Sequence, residues 1–93
     1  MKYFLYILEC SNGSYYTGYT NDINRRYQEH QDGSPKCKYT RSFPPKRIAA
    51  CWEMDCTLSE VLKLEFHVKS LSKQKKHELI QTPDNLFKST AYE

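Results

Sequence analysis

The sequence predicts an α/β domain with three strands and three helices in the order β-β-α-β-α-α, and three observations lead there. Tyr3 to Cys10 and Tyr15 to Thr20 are rich in aromatic and β-branched residues, and the Asn12-Gly13 step between them is a strong hairpin signal. Thr20-Asn21-Asp22 then offers three helix N-cap residues ahead of Ile23 and Tyr27, which stand four apart as residues on one helix face do. Finally, Arg47 to Met54 reads as a third strand, followed by two capped, apolar-patterned segments. At 93 residues the chain makes one small domain with a modest core. With eight tyrosines among its aromatics, much of that core must be Tyr, whose hydroxyls need partners or water.

Taken in order, Tyr3-Phe4-Leu5-Tyr6-Ile7-Leu8 is apolar almost throughout and fits a strand covered on both faces, the central strand of a small sheet. Ser11 to Ser14 turns the chain and Tyr15 to Thr20 returns antiparallel, bringing Tyr6 and Tyr16 into one neighbourhood. The register stays open, because a one-residue slip would exchange the faces. Gly18 permits a close backbone approach. The first helix starts at Asn21 or Asp22 and stops at Gln31-Asp32-Gly33, with Gly33 placed for a C-terminal cap; Arg26 and His30 flank its apolar stripe. Lys36 to Lys46 is polar, basic and interrupted by Pro44-Pro45, the composition of a long binding loop. After the third strand, Thr57 or Ser59 caps a second helix and Ser72 a third, on which Leu71, Leu79 and Ile80 face the body and the lysines face outward. The domain is expected to span residues 1–82. Residues 83–93 form a loop-like tail on which Leu86, Phe87 and Tyr92 dock locally.

Fourteen Lys and Arg against eleven Asp and Glu leave a formal charge of +3, but the charges are clustered. Arg25, Arg26, Lys36, Lys38, Arg41, Lys46 and Arg47 face only Glu29 and Asp32, and Lys63, Lys69, Lys73, Lys75 and Lys76 face only Glu65. Such clusters suit a polyanion such as nucleic acid; the plainer alternative is a solvated basic face. Cys10, Cys37, Cys51 and Cys56 form no C-x-x-C pair, so buried thiols in a reducing cytoplasm are the default. No segment reads as a secretory leader or a membrane span.

The second helix carries a misfit. At about 100° per residue, with Val61 as zero, Leu58 falls near 60°, Leu62 near 100°, Leu64 near 300° and Val68 near 340°. Glu65 falls near 40°, inside that apolar face. A buried carboxylate without a partner costs several kcal/mol, so a cation, a metal ion or an opening onto a cleft must compensate.

Leu5-Tyr6-Ile7, the hairpin, Tyr16-Thr17-Gly18, the helix with Arg26 and His30, and the later Glu65 together resemble the GIY-YIG nuclease superfamily. The likeness runs from about Lys2 to Ile80. It is nearest to the small single-domain bacterial members, which are similar to the nuclease subunit of structure-specific DNA resolvases. Lys38-Tyr39-Thr40-Arg41 and Lys69-Ser70-Leu71-Ser72 also look like that subgroup. The resemblance implies a small three-stranded antiparallel sheet flanked by helices. It implies Tyr6 and Tyr16 as the tyrosines of the two motifs, Arg26 as the catalytic arginine, His30 as the helix histidine and Glu65 as the metal-binding glutamate. Phe4 replaces the first motif's glycine, Leu5 its isoleucine and Thr17 the middle of the second motif, all backbone or core positions. Tyr19 stands where some branches have a lysine.

The implied activity is a metal-dependent DNA endonuclease acting on branched, nicked or single-stranded DNA in repair or recombination. Glu65 would hold Mg²⁺ or Mn²⁺, and Arg26 would fork onto the phosphate. Tyr6, with Tyr16, would position or deprotonate the attacking water, and His30 is a second base or a phosphate contact. Arg25, Lys38, Arg41, Lys69 and Lys73 would track the DNA backbone. A protein partner or a homodimer would help choose the substrate. Two other readings stand beside this one: a nucleic-acid-binding module of the same fold without turnover, and a small protein-interaction domain. Taken one at a time, Tyr6 and Tyr16 also read as core aromatics, Arg26 as a surface arginine, His30 as a solvated or capping histidine and Glu65 as half of a structural ion pair.

Overall fold

The computed structural model describes residues 1–90, with side chains described to residue 87. Three strands, β1 (Lys2–Cys10), β2 (Tyr15–Thr20) and β3 (Pro45–Asp55), form one sheet in the order β2-β1-β3, antiparallel throughout. The apolar first strand is therefore central, and Leu5, Tyr6, Ile7 and Leu8 are each at most 1% exposed. The hairpin closes as the Asn-Gly step predicts: Gly13 takes a φ of 82° and its N–H donates to Cys10 O, while Cys10 N–H donates to Ser14 O.

Because side chains alternate along a strand, this register divides the core between two faces. On one, Tyr6, Leu8 and Cys10 meet Tyr16 and the helix α1 (Ile23–Asp32) through Ile23 and Tyr27, the expected anchors. On the other, Leu5, Ile7, Ala50 and Trp52 pack with Val68, Leu79 and Leu86, carried by α3 (Leu58–Ser70), α4 (Lys73–Gln81) and α5 (Asn85–Thr90). Caps fix the helix ends: Asp22 accepts from Arg25 N–H, Thr57 and Glu60 form a reciprocal capping box, Ser72 accepts from Lys75 N–H, and Gly33 closes α1 at a φ of 71°.

Four expectations need correction. The basic loop after α1 contains a short helix, α2 (Lys38–Ser42), and β3 begins at Pro45 rather than Arg47. Pro45 is tolerated there because it opens an edge strand. The tail past Thr82 is not loop-like up to residue 90: it forms α5, Leu86 is fully buried, and Trp52 Nε1–H donates to Pro83 O at 2.9 Å. The expected docking of Tyr92 concerns a residue outside the described ones. On α3 the apolar face is split, with Val61 and Val68 buried but Leu58 and Leu62 at 46% and 40% exposure. Of the cysteines, only Cys10 and Cys37 are buried; Cys51 is exposed and Cys56 partly so. No helix among the described residues is long and apolar enough to cross a membrane.

Candidate active site

The hairpin register sets Tyr6 directly opposite Gly18. Gly18 has no side chain, so the Tyr6 ring lies across β2; a Cβ at position 18 would sit 2.6 Å from the Tyr6 hydroxyl oxygen. At the far end of that ring the hydroxyl meets His30 Nε2 at 2.9 Å. His30 projects from the last turn of α1 into the core and is fully buried, so it is neither the solvated nor the capping histidine that its sequence position also allowed. Its other nitrogen, Nδ1, lies 2.7 Å from Thr40 Oγ1. Tyr16 covers the imidazole edge-on, with ring centroids 5.1 Å apart, and Tyr39 stacks on Tyr16 from the solvent side.

Arg26, one turn before His30 on α1, lays its guanidinium beside the Tyr6 hydroxyl and pairs with Glu29 at 3.0 Å. These neighbours set the charges. Burial pushes the Tyr6 phenol up to about 12, although Arg26 pulls the other way. Burial and the nearby Arg26 charge push His30 down to about 4. Burial disfavours the Arg26 cation, but Glu29 and Tyr6 outweigh it and hold the guanidinium protonated. At neutral pH the site therefore rests as a protonated phenol, a neutral imidazole and a fixed cation.

Next to this group lies a polar cleft of about 530 Å³ lined by Tyr3, Tyr19, Asn21, Arg25, Arg26, Glu29, Lys36 and Leu58. Arg25 thus joins Arg26 on one wall. The other expected DNA contacts are dispersed: Lys38 and Arg41 are exposed on α2, Lys69 pairs with Glu65, and Lys73 lies 6.0 Å above the Tyr15 ring. A larger, mostly apolar groove of about 720 Å³ runs along α3 past Leu58, Leu62 and Phe66. It contains none of the titrating groups of the cleft.

Tyr6, Tyr16, Arg26 and His30 are brought together; Glu65 is not joined to them. Its side chain, 14% exposed, lies on the seam of α3 between buried Val61 and exposed Leu62, and its Oε2 meets Lys69 Nζ at 3.4 Å. No hydrogen bond or ion pair among the described residues links it to the other four. Nor do three or more His, Cys, Asp or Glu side chains converge anywhere among those residues. A single carboxylate with a wet edge still fits Mg²⁺ or Mn²⁺, which keep several waters and need few protein ligands. It does not fit a closed zinc cage.

Sequence reasoning missed Glu29, Thr40 and Tyr39 as members of this constellation. Glu29 was detectable as an acid three residues after Arg26 on one helix. Thr40 and Tyr39 stood inside the quoted Lys38 to Arg41 segment, but nothing local pointed them at His30 or Tyr16.

Residues 2–78 match the model of the GIY-YIG catalytic domain. The chain is 40% identical over 90 residues to a UPF0213 protein of Halalkalibacterium halodurans, covering 97% of this chain and 94% of that one. A UPF0213 protein of Syntrophus aciditrophicus is 43% identical over 86 residues, covering 91% and 98%. Among solved structures, the solution NMR structure of a UPF0213 protein from Bacillus halodurans aligns with a TM-score of 0.57 at 43% identity, over 88% of this chain and 85% of that one.

Proposed function

Since the chain belongs to the GIY-YIG catalytic-domain family, a family of nucleases, we propose that it is a metal-dependent DNA endonuclease hydrolysing phosphodiester bonds at the Arg26 cleft. The observation that carries this is the Arg26 guanidinium, held beside a buried Tyr6–His30 pair at the wall of a cationic cleft. Arg26 is placed to fork onto the non-bridging oxygens of a phosphate, where negative charge grows during in-line displacement. Glu65 would hold Mg²⁺ or Mn²⁺, which when bound supplies Lewis-acid stabilisation at the phosphate.

Tyr6 orders the attacking water and passes a proton inward as the water loses its own; His30 receives it. In the resting site burial holds the proton on the Tyr6 phenol and, with the Arg26 charge, off the His30 imidazole. A phosphate anion bound at Arg26 favours the imidazolium, because its charge and its hold on the guanidinium relieve what depresses His30; it acts on the Tyr6 phenol in the same direction, so the phenol gives up its proton only as it takes one from the water. Full burial of His30 leaves it behind Tyr6, as a proton acceptor rather than a phosphate contact. Tyr16 holds the imidazole plane.

Arg25, Lys38, Arg41, Lys69 and Lys73 would follow the sugar-phosphate backbone without reading bases, which leaves branched, nicked and single-stranded DNA as substrates and gives a protein partner or a second copy a role in choosing among them. A part in DNA repair or recombination and a place in the reducing cytoplasm, suited to four unpaired cysteines, complete the reading. One observation favours a second reading, a binding module without turnover: Glu65 is paired with Lys69, and among the described residues no hydrogen bond or ion pair links it to Tyr6, Tyr16, Arg26 or His30. End-labelled single-stranded, duplex, flap and four-way-junction DNA with Mg²⁺ or Mn²⁺ separates the two. Cutting by the wild type that Glu65→Gln and Arg26→Gln both lose supports the nuclease. Salt-sensitive binding with no cutting of any substrate supports the module.

A further inference from the structure

We propose that Thr40 is a positioning residue that fixes which nitrogen of His30 faces Tyr6, leaving Nε2 unprotonated and ready to accept. The argument is a complete accounting of hydrogens in a closed site. Tyr6, His30 and Thr40 are at most 1% exposed, so their polar hydrogens must find acceptors among themselves and their neighbours. Arg26 is a donor only, and its guanidinium lies beside the Tyr6 hydroxyl, to which it offers no acceptor. The Cys37 carbonyl is an acceptor only, and Thr40 Oγ1 lies 3.3 Å from it. The Cys37 carbonyl oxygen also takes the Arg41 N–H at 2.9 Å, which its two lone pairs allow.

Between these fixed ends one direction satisfies every hydrogen. Thr40 O–H donates to Cys37 O, His30 Nδ1–H donates to Thr40 Oγ1 at 2.7 Å, and Tyr6 O–H donates to His30 Nε2 at 2.9 Å. Run the other way, Nε2–H would point at the Tyr6 oxygen, and the phenol hydrogen would have no acceptor among the described residues. The fixed direction is also the useful one, since a tautomer protonated at Nε2 cannot take a proton from Tyr6. The short α2 helix, with its buried Thr40 and Cys37, thereby acquires a purpose: it closes over the inner face of His30 and sets the ring's proton on the side away from the cleft. The inference rests on the nuclease reading only for its kinetic consequence.

Long-range ¹H–¹⁵N NMR on the histidine-labelled chain, with His30 assigned by its loss in His30→Gln, reads the tautomer directly in the absence of DNA. The expected result is Nδ1–H with an unprotonated Nε2 in the wild type and in Thr40→Ser, and a shift of the proton to Nε2 in Thr40→Val. On the DNA substrate that is cut, Thr40→Val should lower kcat at least 10-fold with KM changed less than 3-fold, and Thr40→Ser should restore it. A wild-type His30 protonated at Nε2 overturns the proposal whether or not any DNA is cut. So does a folded Thr40→Val with the wild-type tautomer. Should Thr40→Val fail to fold, the wild-type and Thr40→Ser spectra decide alone. If no substrate is cut while the tautomers behave as stated, the positioning holds and it is the nuclease reading that fails.

Discussion

Replacing Gly18 by alanine tests whether the Tyr6 ring depends on the space above β2. Gly18 does not take a positive φ, unlike Gly13 and Gly33, so its backbone alone would accept alanine. What forbids it is Tyr6: the new Cβ would meet the hydroxyl oxygen at 2.6 Å and Cζ at 2.8 Å. Ordinary contact needs about 3.5 Å, so the ring must retreat by nearly ~1 Å. Behind it stand His30 and Tyr16, and Tyr6 is only 1% exposed, so the retreat has nowhere to go. Overpacking of this kind costs about 1–3 kcal/mol, and losing the buried Tyr6–His30 hydrogen bond adds about 1–3 kcal/mol. A loss of about 2–6 kcal/mol follows, which lowers the Tm of a domain this size by about 10 °C or more. Misplacing the hydroxyl by that distance should also cut the cleavage rate about 100-fold. The decisive assay is a double-mutant cycle by urea denaturation. In a Tyr6→Leu background the shorter side chain no longer reaches position 18, and Gly18→Ala should become neutral or slightly stabilising through the stiffer unfolded chain. If Gly18→Ala costs as much beside Leu as beside Tyr, the Tyr6 ring is not what excludes it and the reasoning fails.

Two further predictions follow from buried polar groups. The Thr17 hydroxyl is buried without a hydrogen-bond partner among the described residues, so Thr17→Val, nearly equal in volume, should raise stability by about 1 kcal/mol; a fall in Tm would mean that the hydroxyl has an ordered partner. His30, ordinarily near 6.5, is held near 4 in the folded state, so between those values the unfolded chain takes up a proton that the folded one refuses. Stability should therefore be full above about pH 6.5 and fall by about 1.4 kcal/mol per pH unit as pH drops toward 4. The carboxylates held low, Glu29, Asp55 and Glu60, act from below their ordinary 4.5, 3.8 and 4.5, so they leave the upper part of that window to His30. Urea midpoints from pH 7 to 4.5 should show the slope in the wild type and lose it in His30→Gln; equal slopes refute the assignment.

The sequence by itself determined the parts whose causes are local. A continuous apolar run made β1, aromatic and β-branched residues made β2, Asn12-Gly13 made their turn, and Asp22, Gly33, Thr57 and Ser72 set helix ends because capping involves residues only a few positions apart. Ile23 and Tyr27 marked the buried face of α1 through the helical period, and the match of Tyr6, Tyr16, Arg26 and Glu65 to one family pattern named the family. Tertiary structure alone decided the rest. The hairpin register, which a period of two cannot fix, put Tyr6 across Gly18. Packing, not periodicity, left Leu58 and Leu62 on the surface and buried Leu86 from a polar stretch. Burial turned His30 from a surface histidine into an enclosed imidazole, and a helix hidden in a Pro-bounded basic segment carried Thr40 to it. A hydrogen bond spanning 24 residues and another spanning 10 leave no trace in local sequence, because each partner is an ordinary residue until the chain closes around both.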